Sequence, residues 1–546
     1  MQRKTRIRPL VFWPPFLLLM VAVVLSFTNL DGFLAVTSAI NSWILDRFSW
    51  LFSLGTLLMV GTCVWVYLSP LGNVRIGGEK ATPILSRWRW FSIALCTTVA
   101  IGILFWATAE PMYHLHSPPS SMGLEAGSAE AAKFAMSTMF LHWSFTPYAI
   151  YTIPALMFAL AHYNLGKPFS LGSALSPLFG DRVQGKTGQI IDALALYALV
   201  AGMAASLGTG VLTLAGGLDN MLSLGTGPVV LGVITLLIVA TFIVSAASGL
   251  KKGIAMLSSL NTRIFFGLCA FVFICGPTTW ILAMGVEGMG EYLGNFFQKS
   301  LFTGAASGDK WPQWWTIFYW ANWLAWAPIT ALFLGKISRG YTVREFLVTN
   351  MVLPAIFACV WMSIFSGTAL NMDMTGDGML NNALKNTGAE SVVYTMFDNL
   401  PLAGITAVLF IFVSFLSYVT AADSNTEAMA NLCSEDSEKA LAGDDNAQSL
   451  SEEEQSAPTS LKLKVIWGAT IGFVAWVMTS FAGIDGIKMM SNLGGLPALF
   501  IVLGCNAALI YCLVSERFTK GSATEKEASA KKQDDGNSQV DSVLTT

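Results

Sequence analysis

"FYWANWLAW", Phe318 to Trp326, lies inside a long apolar run and carries tryptophans at 320, 323 and 326. Tryptophan in a membrane protein usually belongs to the interfacial belt, where the ring is apolar and its N–H stays wet. Steps of three residues rotate a helix by roughly 300°, so these indoles drift across one broad face while climbing about 9 Å along the axis. That is deeper than a belt requires. Two readings stay open on these residues alone: an anchor with ordinary packing, or an aromatic wall that binds something.

The surrounding chain decides the class. Of 546 residues, 54% are hydrophobic and 12% charged, with 18 Trp and 35 Phe, which is not the composition of a soluble domain. Apolar runs of 18 or more residues fall near 10–28, 50–70, 90–113, 137–162, 187–217, 226–248, 257–285, 314–336, 346–370, 401–424, 463–484 and 489–514. The expected fold is an all-α polytopic membrane protein with 12 transmembrane helices. An even number puts both termini on one side. That side holds 24 of the 31 Lys and Arg, Arg3, Lys4, Arg6 and Arg8 among them, while the other holds Arg47, Lys133, Lys299, Lys310, Lys385 and Lys488. The positive-inside rule makes the richer side, with both termini, cytoplasmic. "MQRKTRIRPL" imitates a signal peptide, but no small-residue cleavage site follows, so an uncleaved first span is expected.

The net charge of -3, without a soluble basic domain, leaves no expectation of a nucleic-acid partner. The lipid bilayer and a small solute are the expected partners. Seven of the eight cysteines fall within spans, and free thiols are the default reading. The segment 433–460 is acidic and the tail 515–546 polar; with residues 1–9 they read as cytoplasmic segments. Stretches 128–136 and 286–303 read as interfacial helices on the outer side, the second within an outer segment 286–313.

Enzyme and metal chemistry find little support. "HLH", 114–116, reads as a solvated loop without a cluster to complete a metal site. The Asp/Gly-rich stretch 372–390 lacks the spacing of a calcium loop. No resident metal or cofactor is expected. Transport features are more numerous. Span 3 carries Phe105, Trp106, Glu110 and Pro111; span 4 has Trp143, Tyr148 and Tyr151 around Pro147; span 10 ends with Thr420, Asp423 and Ser424. Their spread over separate spans fits a substrate site lined by discontinuous helices. Aromatic side chains without an obvious buried counter-acid suit a quaternary cation, which donates no hydrogen bond and is held by ring faces at roughly 0.5–2 kcal/mol per contact.

Six motifs occur in order: "GILFWATAEP" (102–111), "LHWSFTPYAIY" (141–151), "SGLKKGIAMLSS" (248–259), "WTIFYWANWLAWAP" (315–328), "ISRGYTVREF" (337–346) and "VTAADS" (419–424). Together they resemble the betaine/choline/carnitine transporter family over about residues 10–515. The resemblance implies a LeuT-like five-plus-five inverted repeat, with spans 3–7 (residues 90–285) and 8–12 (314–514), two peripheral spans within 10–89, and a homotrimer in the inner membrane. It implies secondary active transport of glycine betaine, choline, carnitine or a similar solute, with an exchanger of such solutes, or uptake of ectoine or a sulfonium, as alternatives. Carried over by motif position, Trp143, Tyr148, Tyr151 and Trp323 form the aromatic box, flanked by Phe105, Trp320 and Trp326. Asn322 stands where the family usually has a further Trp, and is expected to line the pathway or to bond another helix.

A coupling Na+ would be held between spans 3 and 10, near Cys96, Thr98 and Val99 and at Thr420. Ala421 removes a hydroxyl there. The expectation is weak or absent sodium dependence, with Asp423 and Ser424 as compensating groups or H+ as the coupling ion.

Overall fold

The computed structural model describes residues 7–98, 101–183, 185–248, 251–434 and 461–518, and not the side chains of 246–248, 251–259 and 424. Val99, Arg3, Lys4 and Arg6, most of the acidic segment and most of the tail therefore lie outside the described residues. The chain is helical throughout its main elements: α1 Pro9–Thr28, α2 Leu30–Leu68, α3 Arg87–Thr98, α4 Gly102–His116, α5 Ala129–Trp143, α6 Phe145–Ala159, α7 Lys186–Leu222, α8 Pro228–Ser248, α9 Lys251–Cys275, α10 Thr278–Gly294, α11 Phe296–Ser300, α12 Phe318–Lys336, α13 Leu353–Thr375, α14 Met379–Asn386, α15 Val392–Asp398, α16 Ala403–Leu432 and α17 Leu461–Val514. Among the described residues nine helices are long and apolar enough to cross a membrane, or eleven if each of two bent pairs is one span.

Burial separates the centre from the rim. In the most apolar window of each helix, 94% of residues 129–164 and 89% of Gln313–Lys336 are buried, against 28% of α1 and 33% of Pro228–Ser245. The helices of spans 4 and 8 are thus the middle of the bundle, and α1 and α8 turn much of their apolar surface outward, as lipid-facing helices do. Small residues allow the central contacts. A Cβ on Gly495 of α17 would stand 2.5 Å from the Cα of Ala321 in α12, so only glycine permits that approach.

Breaks in the helices position the site. α3 and α4 meet at 54°. α5 ends at Ser144, whose φ of -112° and ψ of -119° leave the helical region, and α6 starts afresh one residue on. α17 is 54 residues long, about 81 Å at 1.5 Å per residue, and Gly483 breaks it with φ 54° and ψ -134°.

The second long helix reaches beyond its apolar run: it begins at Leu30, where Asn29 caps it by accepting from the Gly32 N–H (2.9 Å), and it contains most of the run near 50–70. Two expectations need correction. Residues 129–136 form no separate interfacial helix: the Ser128 hydroxyl caps α5, which continues inward, and Ala131, Ala132 and Phe134 are buried. The run 257–285 is not one straight span. The chain turns by 107° after Cys275 at Gly276–Pro277, where proline lacks the N–H a continuing helix needs, so the helix that holds the first part of 286–303 starts at Thr278.

Candidate functional site

The Ser144 break lets two stretches of one span serve a single centre. Trp143 ends α5, and Tyr148 and Tyr151 lie one turn apart on α6. All three surround Trp323 of α12, with ring centroids 5.6, 5.6 and 5.3 Å from it for Trp143, Tyr148 and Tyr151, and interplanar angles of 59–76°. Each of the four is at most 5% exposed. Gly102, at the start of α4, lies under the Trp143 ring: a Cβ there would come within 3.1 Å of it. The Trp323 indole N–H is buried without a hydrogen-bond partner, so this side chain offers its neighbours a π surface.

The other ladder positions go elsewhere. Trp326 donates its N–H to Ser206 Oγ on α7 (3.1 Å) and packs against Gly202. Trp320 is fully buried against His142, ring centroids 5.9 Å apart. Phe105 is buried beside Trp106, centroids 4.9 Å apart. Asn322 is turned to α17, its Oδ1 3.2 Å from Ser491 Oγ, an inter-helix contact and not part of the ring cluster.

Sequence reasoning missed a cluster directly behind the box. Glu110 on α4 is fully buried. Its Oε1 accepts from His114 Nε2 (3.0 Å) and His142 Nδ1 (2.6 Å), and its Oε2 from Trp143 Nε1 (2.8 Å) and Tyr319 Oη (2.5 Å). His142 Nε2 in turn meets Thr316 Oγ1 at 3.0 Å. The "HLH" stretch is therefore not a solvated loop. His114 is fully buried on the helix face of Glu110, and His116 Nε2 lies 2.6 Å from Asp373 Oδ2. Glu110, His114 and His142 bring one ligand atom each within 4.8 Å of one another. That set could hold a metal ion, but each lone-pair position of the carboxylate already has a donor. An ionisable residue inside an apolar span, four residues from a histidine, was the available signal.

The residues expected to bind a coupling ion are differently disposed. The Thr98 hydroxyl is directed at the Ala94 carbonyl (2.9 Å) and that of Thr420 at the Leu416 carbonyl (2.9 Å). Cys96 Sγ meets Thr262 Oγ1 of α9 at 3.1 Å. Asp423 is 6% exposed, with Oδ1 lacking a hydrogen-bond partner. It lies within α16, which stays helical to Leu432.

Residues 10–518 match the betaine/carnitine/choline family transporter profile. A glycine betaine transporter, OpuD, of Bacillus subtilis is 31% identical over 510 residues, 93% of this chain and 94% of the relative. A probable glycine betaine transporter of Desulfitobacterium hafniense is 29% identical over 88% of this chain and 92% of its own length. An ectoine/hydroxyectoine transporter of Virgibacillus pantothenticus is 29% identical over 90% and 94%.

Proposed function

The chain belongs to the betaine/carnitine/choline family of transporters, and from that premise we propose that Trp143, Tyr148, Tyr151 and Trp323 hold the quaternary ammonium group of its substrate. The protein is a multi-pass secondary transporter of the inner membrane for a quaternary-ammonium or betaine-like solute, and not an enzyme. The observation carrying the site is the enclosure of Trp323 by three rings at 5.3–5.6 Å. A cation bearing methyl groups in place of N–H donors is held by ring faces and by little else. The rings touch one another, so admitting a trimethylammonium group requires them to part. Separate movement of α5 and α6 about Ser144 supplies a route, and alternating access follows. Relatives named for glycine betaine and for ectoine bracket the solute class.

The topology proposed is twelve spans with both termini cytoplasmic, spans 3–7 and 8–12 forming inverted repeats, in a homotrimer. What supports twelve is the break at Gly483, since 54 residues are more than twice the roughly 20 that one crossing needs. The proposed coupling is substrate exchange or proton symport with little dependence on sodium. Supporting it are the Thr420 hydroxyl engaged within its own helix and the alanine at 421. The test of the box is Trp323→Leu: folded protein that has lost glycine betaine binding is expected, and unchanged apparent affinity would overturn the assignment.

A further inference from the structure

A charge-bearing hub stands directly behind one wall of the box. The Glu110 carboxylate has four lone-pair positions, and all four face groups able to donate: two imidazoles, a phenol and the Trp143 indole. The indole N–H can only donate. This is the hydrogen bonding of an ionised carboxylate, and charge-assisted bonds of this kind are what permit a buried charge at all. Its ion-pair contacts among the described residues are the two histidines. Lys488 lies over Trp315, 3.8 Å from the ring centroid, and Trp315 in turn touches His114.

We propose that Glu110 is the buried counter-charge of the aromatic box, a positioning and specificity-determining residue that acts through the Trp143 indole and favours substrates carrying net positive charge. The proposal rests on the reading of the box given above. Two effects point the same way. By accepting the indole N–H, the carboxylate fixes the Trp143 ring against Trp323 and raises electron density on the face that a cation meets. It also acts through space. A cation within about 6 Å of the Trp143 centroid sits on the order of 10 Å from the carboxylate. With an effective dielectric constant near 20, that separation still gives roughly a ten-fold preference for a positive over a neutral group. A zwitterion gains less, because its own carboxylate is repelled from only a few ångströms further away.

The experiment is equilibrium binding of choline and of glycine betaine to the purified full-length protein, for wild type, Glu110→Gln and Trp323→Leu. In Glu110→Gln, choline affinity is expected to fall about ten-fold and glycine betaine affinity about two-fold, shifting preference toward the zwitterion by about five-fold. Equal losses for both ligands would show that Glu110 only supports structure, and no loss would show that its charge is not felt; either result overturns the proposal. So does a wild type that binds glycine betaine and ignores choline. Unchanged binding in Trp323→Leu overturns the box reading and this proposal with it, whereas loss there beside equal losses in Glu110→Gln overturns this proposal alone. Should Glu110→Gln not fold, Glu110→Asp keeps the charge one methylene back. It is expected to weaken both ligands by the same factor, and a selective loss of choline in that variant contradicts the assignment.

Discussion

The aromatic box and the meeting of α3 with α16 are both assembled from separated helices, yet their functional groups are engaged in opposite ways. In the box, four rings from α5, α6 and α12 converge, and the Trp323 N–H is left without a partner. Where α3 and α16 meet, the described hydroxyls of Thr98 and Thr420 point back into their own helices. A helical Ser or Thr that donates to the carbonyl four residues earlier is held by its own backbone while its lone pairs stay available, and beside Thr420 the alanine at 421 adds no oxygen. The contrast teaches that the proposed solute site is a set of side chains already gathered in one place, whereas a cation site between α3 and α16 would have few side-chain oxygens to draw on.

The largest expected effect breaks the box side of this contrast. Trp323→Leu should cost at least about 2 kcal/mol of substrate binding, roughly thirty-fold, with an unchanged elution profile on size exclusion. Trp326→Phe sharpens it. That ring is tied to Ser206, so the variant should lose about 1 kcal/mol of stability in a thermal melt while its substrate affinity stays within about two-fold of wild type. An affinity loss as large as that of Trp323→Leu would mean the whole ladder is the wall. Asn322→Ala should be milder still, costing about 0.6 kcal/mol of stability for an inter-helix contact; a reordered substrate panel would place Asn322 in the pathway. The smallest change is expected on the coupling side. Uptake into proteoliposomes at fixed pH should vary by less than about two-fold when potassium replaces sodium, because a site with few oxygen ligands holds such hard cations poorly. Strict sodium dependence would reverse the contrast, and Ala421→Ser should then strengthen it.

The all-helical membrane class was legible because spans of 18 or more apolar residues are a strong signal, and the convergence of Trp143, Tyr148 and Tyr151 on Trp323 was legible through the motifs that carry them. The breaks were less so. Ser144 stops α5 although the proline lies three residues later, at 147, inside the first turn of α6, a position where proline is tolerated because an N–H there would have no partner within the helix. The turn after Cys275 was hidden because apolar residues continue on both sides of Gly276–Pro277. The Glu110 hub was harder for another reason. Its partners come from α4, α5 and α12, more than two hundred residues apart in the chain between Glu110 and Tyr319, and histidines near a span end look the same in sequence whether they face water or a carboxylate. The expectation of aromatic side chains without an obvious buried counter-acid fails for the same reason: it is the bond from Trp143, not the sequence position of Glu110, that ties the carboxylate to the box.

The central claim is that ring faces hold a positive charge, and it is tested most directly by titrating the purified protein with glycine betaine and with tert-butylacetate, the same shape with carbon in place of the quaternary nitrogen. Burial of apolar surface is nearly equal for the two, so a difference reports the positive charge, felt by the rings and by Glu110 behind them. Glycine betaine is predicted to bind at least about ten-fold more tightly, as one or two desolvated cation-π contacts require. Equal affinities would contradict the account, leaving the cluster around Trp323 as hydrophobic packing.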